Sequence, residues 1–247
     1  MVVVGQGTAV VIRSGNAVLL YDTGGESFTG RPVIERGFAR WLQQNGISTL
    51  DLLIVSHGDS DHAGGLVEVG KYFDVQSHCG FGGTACVPGK EISLVQNVLI
   101  QFLSGTGQRL DGSNDDSCNV SLTIFQSRIL PPGDVSRSVE LDLLAYRQLE
   151  VPAALVIAAH HGSKTSSGAH FIDQVAPVHV VFTTEFGHQF GHPHPAVSDR
   201  FRRRGATLWD TGIQAGIGFE FSANSRLSVT PTRTSLTPYW ASGPPLN

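Results

Sequence analysis

Four side chains that can hold a cation fall within one short run, Ser56-His57-Gly58-Asp59-Ser60-Asp61-His62. Two imidazoles and two carboxylates on a tight turn repel one another or go unsatisfied unless cations sit among them. With two cations they form two partial shells: His57 and Asp59 turn toward one metal, and Asp61 and His62 reach the second. Mixed nitrogen and oxygen ligation suits zinc, manganese or iron, and the carboxylate richness favours the harder manganese. The plain alternative is a solvated polar loop. Against it, the cluster directly follows the apolar run Leu52–Val55 and precedes Gly64-Gly65.

A second chemical feature is Gly191-His192-Pro193-His194-Pro195, set just before a helix signal at Ala196. An imidazole on a proline-stiffened turn beside a helix N-terminus is suited to hold a phosphate oxygen or to protonate a leaving group. Ser163, Lys164, Thr165, Ser166 and Ser167 offer hydroxyl or ammonium contacts to a phosphate, or else cap a helix. Arg200, Arg202, Arg203 and Arg204 form a basic run, read as a solvated helix face or a DNA-tracking edge. His194 reads as a surface residue, and His78, His170, His179 and His188 as structural or surface.

These residues need a scaffold, and the patterning supplies one. Ala9–Ile12 and Val18–Tyr21 read as strands about a Ser14-Gly15-Asn16 hairpin turn. Ile34, Phe38, Trp41 and Leu42 share one helical face, with Gly46 as a stop. Leu52–Val55 is a continuous apolar run, as in a strand covered on both faces. Val98–Leu103, Val120–Phe125, Arg128–Leu130, Ala153–Ala159, Val178–Thr183, Gly216–Phe221 and Leu227–Thr230 read as further strands. Helices are expected from Ser136 or Ser138 to about Leu149 and over Ala196–Arg204. Polar, metal-friendly residues recur where apolar strands end, which is where layered α/β folds build sites.

The chain has 247 residues, enough for one large domain or two intimate halves, and no internal repeat. The longest apolar stretch, Ala153–Ala159, is far short of a membrane span, and no signal-peptide pattern opens the chain. A net charge of −4 argues against a broadly basic nucleic-acid binder, but two divalent cations would cancel it and leave the cleft positive toward phosphates. Cys79, Cys86 and Cys118 are wrongly spaced for a zinc knuckle. They read as packed thiols, with a Cys79–Cys86 disulfide as the alternative in an oxidising compartment.

The run His57-Gly58-Asp59-Ser60-Asp61-His62 resembles the H-x-[HD]-x-D-H signature of the metallo-β-lactamase fold. Six further segments extend the resemblance: Val4-Gly5-Gln6-Gly7, Leu20-Tyr21-Asp22-Thr23-Gly24, Leu50-Asp51-Leu52-Leu53, Gly133-Asp134, His160-His161-Gly162-Ser163 and Gly191-His192-Pro193. In this order they resemble the C-terminal metallo-β-lactamase-like domain of the ComEC/Rec2 family of bacterial competence proteins, inner-membrane DNA-uptake channels. The resemblance covers about residues 2 to 221.

It implies an α/β fold, a four-layer αββα sandwich with two divalent ions, Mn2+ or Zn2+, at the shared edge of two sheets. The implied ligands are His57, Asp59, Asp61, His62, a bridging Asp134, and His161 or His160 in its place. Strand side chains alternate faces, so one histidine of that pair binds metal and the other faces substrate or a supporting partner. Asp61, His160 and His192 are the expected catalytic side chains, with Ser163, Lys164 and His192 on the substrate phosphate. Asp22 reads as a hydrogen-bonding anchor.

The chain departs from the family in two places. Asp115–Ser121 carries no histidine where many members place a further ligand, so water, substrate phosphate or Asn119 must complete the first shell. The family's D-V-G-Q-G-D appears as Val3-Val4-Gly5-Gln6-Gly7-Thr8 and lacks both aspartates.

The implied function is a DNA phosphodiesterase that degrades or processes the non-imported strand during natural transformation. Its metals lower the pKa of an attacking water and neutralise developing charge. The alternatives are a hydrolase of a small ester or phosphodiester, or a weakly active DNA-guiding module. The implied partners are DNA, bound weakly through metals and phosphate, and the membrane-channel remainder of a parent protein. The isolated domain is expected to be soluble and monomeric. The parent places it on the extracytoplasmic, periplasmic face of the inner membrane, and Met1 next to the first motif reads as an excised domain. Residues 1–230 are the expected domain and 231–247 a mobile Pro/Ser/Thr-rich tail.

Overall fold

Leu19 and Tyr21 point one way from their strand and Val18 and Leu20 the other, yet all four are buried. A strand apolar on both faces must lie between two layers, and the computed structural model shows those layers. It describes residues 7–25, 32–36, 38–95, 97–109, 113–145, 152–185, 191–224 and 226–233. The Val4-Gly5-Gln6 part of the first motif, His188 and most of the C-terminal tail lie outside the described residues.

In chain order the elements are β1 (Val10–Ser14), β2 (Ala17–Tyr21), α1 (Phe38–Gln44), β3 (Thr49–Leu50), β4 (Leu52–Val55), α2 (Ser60–Ala63), α3 (Leu66–Tyr72), β5 (Asp74–Val75), β6 (His78–Gly80), β7 (Glu91–Val95) and β8 (Val98–Ser104). The second half has β9 (Asn119–Ile124), β10 (Ser127–Leu130), α4 (Arg137–Ala145), β11 (Leu155–Ile157), α5 (Ala169–Val175), β12 (His179–Phe182), α6 (Pro195–Arg203), β13 (Thr207–Asp210), α7 (Thr211–Gln214), β14 (Ile217–Phe221) and β15 (Leu227–Pro231).

One sheet has the order β1-β2-β4-β6 and the other β13-β12-β11-β10-β9-β8-β7. Leu19, Tyr21, Leu52 and Ile54 of the first sheet meet Ile100, Phe102, Val120, Leu122, Ile157 and Val181 of the second in a central core. Val18, Leu20, Leu53 and Val55 face outward onto Phe38 and Leu42 of α1 and Val69 of α3. On the far side Val156, Val180 and Phe182 face Leu143 of α4, Phe171 and Val175 of α5, and Phe201 of α6. The expected αββα sandwich is therefore present. Burying each such aliphatic or aromatic side chain stabilises the sandwich by about 1.5–3 kcal/mol.

Strands β2, β4 and β6 run parallel in one sheet, and β10, β11, β12 and β13 run parallel in the other. Parallel strands present all their carboxyl ends at one edge, and the polar residues that follow them gather there.

Two sequence expectations need correcting. Cys86 bonds to Cys118, with Cα atoms 5.9 Å apart, and Cys79 is the free, buried thiol. Cys79 and Cys86 are close in sequence, but it is Cys118, 32 positions on and just before β9, that the fold brings to Cys86. The strand expected over Ala153–Ala159 is shorter, ending at Ile157, and His160 and His161 lie in a turn with left-handed backbone (φ 51° and 53°).

Candidate metal centre

Asp22 follows β2, His57 follows β4, Asp134 lies beyond β10, His161 beyond β11 and Thr183 just after β12. Non-glycine residues with positive φ are costly, and three of the seven among the described residues sit here: Asp22, His160 and His161. Gly7 is needed for close approach. A Cβ at that position would lie 2.3 Å from the Asp61 carbonyl oxygen, and the next residue, Thr8, donates its N–H to that same oxygen at 3.0 Å.

Each histidine is fixed through Nδ1. His62 Nδ1 lies 2.7 Å from Asp22 Oδ2. His57 Nδ1 lies 2.9 Å from Ser56 Oγ, which donates to Asp22 at 3.0 Å, and 3.3 Å from Ser117 Oγ. His161 Nδ1 lies 2.9 Å from Thr183 Oγ1, itself 3.0 Å from Thr8 Oγ1. With a cation bound, this pattern would keep each ring proton on Nδ1 and free the Nε2 lone pair, the state a metal ligand requires.

The Nε2 atoms converge on carboxylates. His62 Nε2 is 3.0 Å from Asp134 Oδ1; His161 Nε2 is 3.0 Å from Asp61 Oδ2 and 3.6 Å from Asp134 Oδ2. One ligand atom from each of Asp61, His62, Asp134 and His161 fits within 4.8 Å of the others. His57 Nε2 lies apart, 3.5 Å from Asp59 Oδ2. The Nε2 atoms of His57 and His62 are buried without a hydrogen bond. Orphaned buried acceptors beside carboxylates are costly on their own, and a cation satisfies both, so the donor set fits a divalent metal.

Without a cation the same groups pair with one another. Burial would push the Asp134 carboxyl up, but the charges of His62 and His161 outweigh it and hold it well below the usual carboxylate range. Burial also opposes charge on His62, yet Asp134 and Asp22 raise its pKa well above that of a free imidazole. His57 moves the other way, lowered by burial and then by the charge of His62. The Asp61 carboxyl is lowered despite its burial, by the His161 hydrogen bond and the charge of His62.

The structure thus brings together Asp61, His62, Asp134 and His161, with His57 and Asp59 as an adjoining pair. His161, 2% exposed, faces the cluster; His160, 33% exposed, lies 3.9 Å from Asp134 Oδ2 at the rim. Strand alternation does not order the two, because they occupy a left-handed turn rather than a strand.

The rings of His160 and His192 are 6.0 Å apart. Their approach depends on Gly162, where a Cβ would meet Phe182 at 2.6 Å and Pro193 at 2.9 Å. Lys164 is exposed beside this rim, whereas Ser163 is buried and its hydroxyl is 3.0 Å from Thr165 Oγ1.

His194 is not simply a surface residue: its ring accepts the Ala196 N–H and caps α6. The basic run is not one solvated face either, since Arg200 donates to the Ser167 carbonyl at 2.6 Å. Just before α4, Asp115 accepts from Ser136 N and Oγ. Sequence reasoning missed the anchors Thr8, Ser56, Ser117 and Thr183. Ser56 and Thr8 adjoin recognisable motifs, but nothing local marks Thr183.

Residues 2–80 match the model of the metallo-beta-lactamase superfamily. The chain is 30% identical to "Recombination protein 2" of Haemophilus influenzae, over 96% of this chain and 30% of that protein. It is 29% identical to "Competence protein ComA" of Neisseria gonorrhoeae, over 87% of this chain and 31% of that protein. The chain spans about a third of the length of these relatives. Among solved structures, the metallo-beta-lactamase fold protein YhfI of Bacillus subtilis superposes with a TM-score of 0.53 at 15% identity, covering 85% of this chain and 94% of that one, a likeness of fold alone. The family match over the segment that carries the His57–His62 turn, and a similarity that continues past it through nearly the whole chain, place this protein in the metallo-β-lactamase superfamily, in its ComEC-like branch.

Proposed function

We propose that the chain is a metal-dependent phosphodiesterase acting on DNA, the part of a competence protein that degrades or processes the strand not taken up. The observation that carries this reading is the set of three buried imidazoles, each anchored at Nδ1 and each turning Nε2 toward a carboxylate. Asp61, His62, His161 and Asp134 would hold one divalent ion, and His57, Asp59 and Asp134 a second, manganese or zinc by their mixed donors. Bound there, such ions lower the pKa of a water and offset the charge that builds on a transferring phosphate.

The chain's own residues supply the rest. Asp22 and Ser56 hold His57 and His62 in one tautomer, while Thr8 and Thr183 do the same for His161. His160 and His192, paired at the rim and outside the ligand cluster, are placed to donate a proton to a leaving oxygen. Lys164 offers an ammonium to a neighbouring phosphate. Within Asp115–Ser121, the stretch that carries no histidine, the Ser117 hydroxyl supports His57. The first metal then keeps an open position for water or a phosphate oxygen, as catalytic sites require.

The relatives' names, a competence protein and a recombination protein, support DNA as the substrate, and the chain's span of about a third of their length supports delivery by the remainder of a longer parent. A Cys86–Cys118 disulfide suits an oxidising, extracytoplasmic compartment. Among the described residues no helix is long and apolar enough to cross a membrane.

The test is cleavage of single- and double-stranded DNA by the metal-free chain after adding manganese, zinc or magnesium. Manganese-dependent cleavage that exceeds magnesium-dependent cleavage and disappears in Asp61→Ala is expected, since imidazole ligands discriminate against magnesium. Hydrolysis confined to small esters, or salt-sensitive DNA binding without cleavage, would replace this reading with another hydrolase or with a DNA-guiding module.

A further inference from the structure

Glu140 on α4 is 1% exposed, and the metal centre makes no use of it. Burying a carboxylate is expensive unless its oxygens are satisfied, so its partners show what it is for. Oε1 accepts the Ser167 N–H at 2.6 Å and Oε2 the Gly168 N–H at 2.8 Å. From the other side Arg200 on α6 donates to the Ser167 carbonyl at 2.6 Å and the Ser166 carbonyl at 3.4 Å. A carboxylate and a guanidinium thus grip opposite polar groups of one short stretch of backbone.

That stretch ends the turn that begins with His160 and His161. The turn runs beside the segment that carries Asp134, and the two are stitched together at several points. His160 N bonds to Gly133 O at 3.3 Å, Ser166 Oγ to Val135 O at 2.7 Å, and Arg137 N to Thr165 O at 3.2 Å. The Arg137 guanidinium also donates to the Lys164 carbonyl. Glu140 is the last stitch. His160, His161 and Ser167 all have left-handed backbone, which persists only where the surroundings over-determine it.

We propose that Glu140 and Arg200 are positioning residues that register His161 against Asp134, and so set the affinity of the site these two share. The inference rests on the metal-binding reading of that site.

The test is a titration of the metal-free chain with cobalt(II), followed by absorbance and run well below the unfolding temperature of every variant. Glu140→Ala is expected to weaken cobalt binding by up to about 10-fold and to change the ligand-field spectrum, since loss of a group bonded directly to a ligand costs about 10–100-fold and Glu140 acts one step further out. Arg200→Ala should weaken it in the same sense, and Arg200→Lys, which keeps a cation at the Ser167 carbonyl, should recover most of the loss. Val98→Ala, in the central core, serves as a control that lowers thermal stability without changing cobalt affinity.

Should Glu140→Ala fail to fold, the Arg200 pair decides by the same criterion. A folded Glu140→Ala that binds cobalt like the wild type overturns the inference, as does a Val98→Ala control that loses as much affinity. Failure of the wild type to bind cobalt overturns the metal reading along with it.

Discussion

Reducing the Cys86–Cys118 bond should cost the protein a calculable part of its stability. The two cysteines are 32 positions apart. Cross-linking a loop of that size removes unfolded-chain entropy equivalent to about 3.7 kcal/mol at 25 °C, between about 3 for a 15-residue loop and about 4.7 for a 100-residue loop. Cys86 and Cys118 are 3% and 0% exposed, so the two thiols stay packed after reduction and no cavity adds to the cost. For a domain of this size 1 kcal/mol moves Tm by about 2–4 °C, so full reduction should lower Tm by about 7–15 °C.

The effect should also reach the metal centre. Cys118 N bonds to Ser56 O at 2.8 Å, and its neighbour Ser117 supports His57. Thermal unfolding with and without phosphine reductant, with free thiols counted by mass after alkylation, measures the change. A non-reducing peptide map should leave Cys79 as the alkylated cysteine. An unchanged Tm after verified reduction, or a map that joins Cys79 to Cys86, would refute the reasoning.

Asp134→Asn keeps the side-chain volume but removes the charge that would let the residue bridge two cations in the proposed site; elemental analysis should show loss of at least one metal, with most activity gone. Ser136→Ala, which loses only a hydroxyl contact to Asp115, should keep its metals at a stability cost of about 1 kcal/mol. Burial pushes the Glu140 carboxyl up to about 7 from 4.5, against the Ser167 and Gly168 N–H groups and the charges of Arg137 and Arg200. Between those values the folded chain binds more protons than the unfolded one, so this group's contribution falls as pH rises, by about 3 kcal/mol in all. Urea midpoints across the window should show that slope in the wild type and lack it in Glu140→Gln; parallel profiles would contradict it. Gly7→Ala places a Cβ 2.3 Å from the Asp61 carbonyl oxygen, and should cost about 1–3 kcal/mol together with metal content, read by calorimetry and elemental analysis.

Most of the layered scaffold was legible in the residues. The apolar run Leu52–Val55 became β4 with its bounds unchanged, and the strand signals around Val98, Val120, Val178 and Gly216 became β8, β9, β12 and β14 with ends shifted by a residue or so. Hydrophobic periodicity is local, and it survives because burial on both faces tolerates little else. The His57–His62 run was equally legible, since closely spaced imidazoles and carboxylates announce themselves whatever the fold. The short strands β3, β5 and β6 and the helix α3 were not read, being too brief or too weakly periodic to rise above turn signals.

What the sequence by itself determined was the inventory: the ligand types, the strand ends that carry them and the two layers of buried strand. Only the tertiary structure decided how that inventory meets. His161 rather than His160 faces Asp61 because two left-handed residues turn the chain there, and propensity does not foretell two such histidines in succession. Thr183 anchors His161, Cys118 finds Cys86 and Glu140 grips Ser167 only because parallel strands from two sheets deliver their carboxyl ends to one edge. Those contacts join residues far apart in the chain, and their energy comes from geometry that no local run of residues contains.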